Sequence, residues 1–205
     1  MHGEPDTALD PRLLLTTLGE DRCAVPEDVA ARLGIDERHT RAALEGLERG
    51  GFVRRDERGA FQLPAASLNE LRELYVVAIL LEGLAIRSCD SFDAAALDRL
   101  RECNERLRAS VGDTSGAIMA DDDFHRLLVE HSANERLIRT HAQTKAALLR
   151  YERYALGEDE RVRRSAAQHD EIIALLEAGD HAGAAGAIRR NFEDARPDVE
   201  RGLDP

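Results

Sequence analysis

The chain has 205 residues, enough to bury a sizeable core in one large or two small domains, and a formal charge of -12 that repels polyanions as a whole-molecule average. It contains no run of 18 apolar residues, no signal-peptide pattern and no lipidation motif, so the expectation is a soluble cytoplasmic protein without a membrane partner. Cys23, Cys89 and Cys103 are an odd set without C-x-x-C spacing, which argues against a disulfide framework or a zinc ribbon and leaves them as small buried hydrophobes.

Residues 1–9 lack periodicity and read as a flexible terminus, and a short helix is expected over 10–18. In "VPEDVAARLG", Pro26 suits a first helical position, Glu27 and Asp28 favour the positive end of the helix dipole, and Gly34 stops the helix. "IDERHTRAALEGLERGGFV" follows, with Ala43, Leu44 and Leu47 at helical spacing and Gly50-Gly51 as the stop. "FVRRDERGAFQL" alternates around a turn from Asp56 to Gly59 and predicts a two-stranded hairpin. Helix, helix, turn, helix and hairpin are the order of a winged helix-turn-helix, expected over 10–63.

Between Arg38 and Arg58 six arginines face four acids, so this stretch is locally basic in an acidic chain. Screening over about 10 Å at 0.1 M salt lets such a patch act on phosphate despite distant negative charge. Arg38, His39, Arg41, Arg54, Arg55 and Arg58 are the DNA-binding candidates, while Asp36 and Glu37 stand where the recognition helix approaches DNA and oppose binding. A small helical domain with solvated arginines is the alternative reading.

Residues 64–66 form a linker, and Ser67-x-x-Glu70 is a capping box for the next helix. Leu71, Leu74, Ala78, Leu81 and Ala85 follow 3-4-3-4 spacing and place one apolar stripe on a long helix that runs to about Cys89. Further helices are expected near 92–110, 114–131, 134–156, 159–178 and 180–194, joined by short connections. The fold class is therefore mainly α, with the winged helix followed by an antiparallel helical bundle over 67–195 and a tail at 196–205.

Within the bundle, Asp121 and His125 are four apart and share a helix face with Leu128. His169 is in step with Ile172, Ile173 and Leu176, and Asn191 with Ala184, Ala187 and Ile188. A lone histidine on an apolar face is more often a hydrogen-bonded core residue than a ligand. Polar groups aimed inward from three helices, however, can all be satisfied by one divalent cation, whereas each is costly to bury alone. Asp122 and Asp123 read as solvated or dipole-facing charges, His131 and His141 lack the alignment, and His2 and His181 read as surface residues.

These motifs resemble the FadR branch of the GntR-type bacterial transcription regulators, whose effector domain is called FCD. "VAARLGIDERHTRAALEGLERGGFV" is similar in register to the winged-helix pattern "LAxxLGVSRTPVREALxxLexeGLV", with Asp36-Glu37 in place of Ser-Arg and Arg41 retained. "ELYVVAILLEGLAIRSC" resembles the opening of the effector domain, with Ala78 where an arginine is common. The metal motif of that family, Asp-x-x-x-His, then a histidine, then a histidine 22 residues later, is matched by Asp121, His125 and His169, with Asn191 in the last place. The resemblance implies a divalent metal cofactor (zinc, nickel or manganese), held more loosely because an amide oxygen is a weaker donor than imidazole. It also implies operator DNA and a small-molecule effector, a carboxylate among the candidates, as partners of a homodimer without enzymatic activity. Two other readings stay open on the residues alone: a metal-dependent enzyme, non-haem iron or hydrolytic, and a metal-free dimeric interaction module in which Asp121 pairs with an arginine.

Overall fold

A computed structural model of the protein describes Arg12, Leu14 and residues 23–49 and 52–203, without the side chains of residues 23, 24, 153 and 154. The chain divides into two compact units, Met1–Ala65 and Ala66–Pro205. The expected terminus at 1–9 lies outside the described residues, as does the helix expected over 10–18 apart from Arg12 and Leu14, both helical and the latter fully buried.

The first unit runs β1 (Cys23–Ala24), α1 (Pro26–Leu33), α2 (Glu37–Arg49), β2 (Arg54–Arg55) and β3 (Phe61–Gln62). Helix α1 has Pro26 in its first turn and ends at Gly34, whose φ of +66° is the left-handed conformation that glycine adopts without a Cβ clash. Val29 and Ala30 of α1 and Leu44 and Leu47 of α2 form the apolar contact between the two helices. Asp36 is the cap of α2, since its Oδ1 accepts from the backbone N–H groups of Arg38 at 2.9 Å and His39 at 3.2 Å. Besides facing outward as a charge, it therefore starts α2. Strands β2 and β3 pair with Arg54 opposite Gln62 and Arg55 opposite Phe61, and the intervening turn is closed by Asp56 Oδ1, which accepts from the N–H groups of Arg58 and Ala60. Strand β1 adds a third, antiparallel strand on the other edge of β3, too short for alternation to reveal.

The second unit has six helices among the described residues: α3 (Leu68–Ser88), α4 (Ala94–Ala109), α5 (Thr114–Glu130), α6 (Glu135–Leu156), α7 (Asp159–Glu177) and α8 (His181–Leu203). Asp93, Asp113 and Asn134 cap α4, α5 and α6 by accepting from the N–H groups of Ala96, Gly116 and Leu137. Only half of the Ser67 capping box forms. Ser67 Oγ accepts from Glu70 N–H, but the Ser67 N–H donates to the Tyr151 hydroxyl at 3.1 Å, and Glu70 instead accepts from Tyr151 and pairs with Arg150.

Helix α3 packs on α8 and α6, α4 on α5 and α7, α5 on α6, and α7 on α8, closing a bundle around a common interior. Leu71, Ala78 and Ala85 of the expected stripe are fully buried. The last helix does not stop near 194 but continues through Pro197 to Leu203, so residues 196–203 are not a tail. Proline removes one backbone hydrogen bond there. The extension is held by the fully buried Val199 and by Asp198, which pairs with Arg161, Arg164 and Arg201.

Candidate metal centre and nucleic-acid interface

Asp121 and His125 on α5 and His169 on α7 converge inside the bundle, with one ligating atom from each lying within 4.8 Å of the others. His125 Nε2 is 3.5 Å from Asp121 Oδ2, and His169 Nε2 is 3.6 Å from Asp121 Oδ1. Donor atoms about 2.0–2.1 Å from a tetrahedral divalent ion lie about 3.3 Å apart, so small side-chain adjustments bring these three onto one ion. Asp121 and His125, though not His169, line a cavity of about 30 Å³ together with Asn191, Lys145 and Tyr75, room for one ion or one water. Asn191 therefore reaches the same cavity, with its Nδ2–H donating to Gln168 Oε1 at 3.0 Å.

The donor set fits a cation. Both ring nitrogens of the fully buried His169 lack a protein hydrogen-bond partner among the described residues, an expensive state for a polar group. Burial, against the pull of Asp121 and Glu82, pushes its imidazole down to about 3, so it is neutral and has a lone pair to offer. His125 is oriented by Glu82, a fully buried carboxylate on α3 that can only accept, so His125 Nδ1–H donates to it at 2.6 Å and Nε2 is turned toward Asp121. A bare Nε2 lone pair would repel that carboxylate. Burial alone would lower the His125 imidazole, but Glu82 and Asp121 outweigh it and raise it, so a positive charge, proton or metal, is what this position favours. Burial likewise raises the Asp121 carboxyl, yet the fields of His125, His169 and Lys145 and a 2.9 Å bond from Ser165 Oγ–H bring it below its usual range.

Aromatic packing sets the ring planes. Phe124 stacks on His169 at 3.7 Å and 4°, and Phe192 lies against His125 at 5.1 Å. The Phe-His pair thus places a ligand-type imidazole and the platform for a second one in adjacent positions.

Several residues here escaped the reading of the sequence. His141, which lacks the spacing of the ligand candidates, is nonetheless buried, and its Nε2–H donates to the other oxygen of Glu82 at 2.9 Å. Asp122 is buried rather than solvated, with Lys145 Nζ at 3.7 Å, and that lysine also reaches Glu152 at 3.0 Å. Burial would lower the Lys145 ammonium, but Glu152, Asp122, Asp121 and Glu82 together raise it, so it stays charged. Signals for them did exist: Glu82 follows Ala78 by four, His141, Lys145, Leu148 and Glu152 follow 4-3-4 spacing, and Lys145 is the only lysine in the chain. Asp123 pairs with Arg106 and Arg126, His131 Nε2–H donates to Ser91 O, and His181 is half-buried against Phe92 rather than a surface residue.

Residues 73–194 match the FCD domain family, more than half of the chain. The chain belongs to the FCD-domain family. This FCD protein is 26% identical over 113 residues to the "Uncharacterized HTH-type transcriptional regulator YdhC" of Bacillus subtilis (strain 168), a match covering 53% of the chain and about half, 50%, of that relative. It is 29% identical over 154 residues to the "Nta operon transcriptional regulator" of Aminobacter aminovorans, covering 73% of the chain and 70% of the relative. In fold it is similar to the solved structure of E. coli McbR/YncC, with a TM-score of 0.81 and 18% identity over 95% of both chains. Both curated relatives are transcriptional regulators rather than enzymes, and the fold is also similar, with a TM-score of 0.72 and 20% identity over 93% of this chain and 95% of that one, to "a putative transcriptional regulator GntR from Rhodococcus sp. RHA1". Among the described residues no helix is long and apolar enough to cross a membrane.

In the winged unit the six candidates divide into two sets. Arg41 pairs with Glu27 at 3.0 Å and Glu37 at 2.8 Å, and Arg55 pairs with Glu45 and Glu48 while covering the Phe61 ring at 4.3 Å. His39 Nδ1 lies 3.3 Å from Asp36. Arg38, Arg54 and Arg58 are exposed without an ion pair among the described residues, and so have their full donor capacity for phosphate.

Proposed function

We propose that the protein is a cytoplasmic, ligand-responsive regulator that binds a pseudo-palindromic operator as a homodimer and holds a divalent ion through Asp121, His125, His169 and Asn191. The observation that carries the reading is the buried Asp121–His125–His169 cluster, in which both ring nitrogens of His169 lack a hydrogen-bond partner among the described residues while Asp121 and His125 line an ion-sized cavity. When bound, zinc, nickel or manganese supplies a Lewis-acidic positive centre for oxygen ligands. The chain's own residues prepare for it: Glu82 turns His125, Phe124 holds the plane of His169, and Ser165 orients Asp121. Asn191 is a neutral, weaker donor, which loosens the hold and favours harder ions over zinc.

A cavity of about 30 Å³ has no space for an organic effector, so a small carboxylate enters only by displacing the side chains at its edge. Arg164 and Gln168 line it, and Arg164 is the more exposed end of an ion pair with Asp198. Moving that arginine loosens its hold on α8, a route by which occupancy can bias the bundle. The effector changes DNA affinity only by its difference in affinity between the two arrangements. On the winged unit, Arg38, Arg54 and Arg58 are the first choice for phosphate contact, with Arg41, Arg55 and His39 able to exchange exposed ion pairs worth about 0–1 kcal/mol each.

Elemental analysis of protein purified without added metal tests the centre. Close to one divalent ion per chain is expected for the wild type and much less for His125→Ala, and full occupancy in that variant removes His125 from the ligand set. Selection of bound genomic fragments tests the reader. On the selected operator, Arg54→Ala and Arg58→Ala should each lower the salt slope by about 0.9 for every phosphate that the arginine neutralises.

A further inference from the structure

The match to the FCD family ends at residue 194, whereas α8 runs on to Leu203. Pro197 weakens this extension from within, because it removes a backbone hydrogen bond, so side chains have to hold it in place. Three of them do. Val199 is fully buried, Asp198 pairs with Arg161 and Arg164 of α7 and with Arg201 of its own helix, and Glu200 Oε1 accepts from Arg72 Nε of α3 at 2.8 Å.

The Asp198 contact falls at the edge of the candidate metal centre. Arg161 and Arg164 both line the cavity that Asp121, His125 and Asn191 share, together with Ala195 from the extension itself. Arg161 Nε is 3.3 Å from Asp198 Oδ2, the same oxygen that Arg164 holds, so one carboxylate oxygen gathers two guanidiniums. Arg161 also pairs with the exposed Glu158 at 3.3 Å. A buried carboxylate seated on these arginines shows which ligand chemistry the pair accepts. An aspartate side chain is an acetate group on a tether, and tethering gives it a high effective concentration against any free carboxylate.

We propose that Arg161 and Arg164 form a carboxylate-binding subsite at the edge of the metal cavity, and that Asp198 occupies it as a built-in competitor which a small carboxylate ligand displaces. This rests on the ligand-responsive reading above and adds the subsite and the group that guards it. Displacing Asp198 also loosens the neighbouring tie between Glu200 and Arg72, near the start of the helix that follows the linker to the winged unit. Binding at the cavity is thereby felt at α3. The competitor sets selectivity as well, because a neutral ligand in its place would leave two guanidiniums without their shared anion.

The probe is acetate, titrated into the full chain at constant ionic strength and followed by NMR through the Val199 methyl signals and by amide hydrogen exchange over residues 198–203. In the wild type, acetate should shift the Val199 methyls saturably and speed exchange across that segment. Asp198→Asn removes the competing charge and should tighten acetate about tenfold, since the subsite is then open for a larger fraction of the time. Glu200→Gln leaves Asp198 and both arginines in place, should tighten acetate by a smaller factor, and carries the test if Asp198→Asn does not fold. Arg164→Ala, at an exposed position, should lose most of the binding. Acetate affinity that is unchanged or weaker in both acidic-residue variants makes Asp198 a structural tie and overturns the proposal. Saturable binding to the wild type without faster exchange over 198–203 overturns it too, and either result leaves the ligand-responsive reading standing. Absence of a saturable response in the wild type and in both variants overturns the subsite itself, and the metal and operator measurements above still decide the regulator reading.

Discussion

Replacing Glu82 by Gln removes one negative charge from the interior while changing almost nothing else in shape. Glu82 is fully buried and holds two imidazoles, His125 Nδ1 at 2.6 Å and His141 Nε2 at 2.9 Å. In the variant, the amide oxygen still accepts from His125, and the amide nitrogen turns to His141, which takes its other tautomer and accepts. Hydrogen bonds are thereby conserved, and the loss is the carboxylate's effect on the basicity of His125 Nε2. Carboxylates that orient a ligating histidine in this way are worth about 10–100-fold in metal affinity, or about 1.4–2.7 kcal/mol. Titration against a chelator of known affinity, with helical content followed by circular dichroism, should show zinc affinity falling within that range at unchanged fold. If Glu82→Gln binds zinc as the wild type does while His125→Ala does not, the orienting role assigned to Glu82 is refuted.

Lys145→Met should destabilise the protein by about 3–5 kcal/mol in denaturant titration, because it leaves Glu152 and Asp122 buried without their cation, and adding Glu152→Gln should recover part of the loss. Asn191→His supplies an imidazole where an amide now lines the cavity, and should raise zinc affinity by about tenfold or more in the same chelator assay, most of all relative to manganese. In chelated protein, His169 titrates at about 3 when folded but near 6.5 when unfolded, so the unfolded state binds the extra proton and stability falls as pH drops below about 6.5, by up to about 1.4 kcal/mol per unit. His125, raised when folded, works in the opposite sense: its contribution is present below about 6.5 and is lost as pH rises through its folded value. Measured from pH 7 to pH 4, His169→Phe should therefore lose less stability than the wild type, and a parallel decline in both would remove His169 as the cause.

Periodicity and punctuation locate most helices to within a few residues, since an apolar stripe and a capping side chain are both local properties. Pro26 and Gly34 bound α1, and the spacing of Asp121, His125 and His169 with apolar neighbours puts all three on inward faces. The end of α8 is hidden from the sequence because proline and a run of charge resemble a helix stop, whereas Asp198 is held by arginines from α7. Asp122 misleads and His141 stays unassigned for the same reason. Their burial depends on Lys145 and Glu82, partners that lie 23 and 59 residues away along the chain.

What the sequence determined by itself is the set of rods, their greasy faces, and the ligand-type side chains standing on those faces, because each follows from spacing along one helix. Only the tertiary structure decided which charges become neutralised inside the bundle, with Glu82 between two imidazoles and Lys145 among carboxylates. Removing a charge from water is tolerable only beside a compensating group, and that group is supplied by whichever helix packs nearest in space.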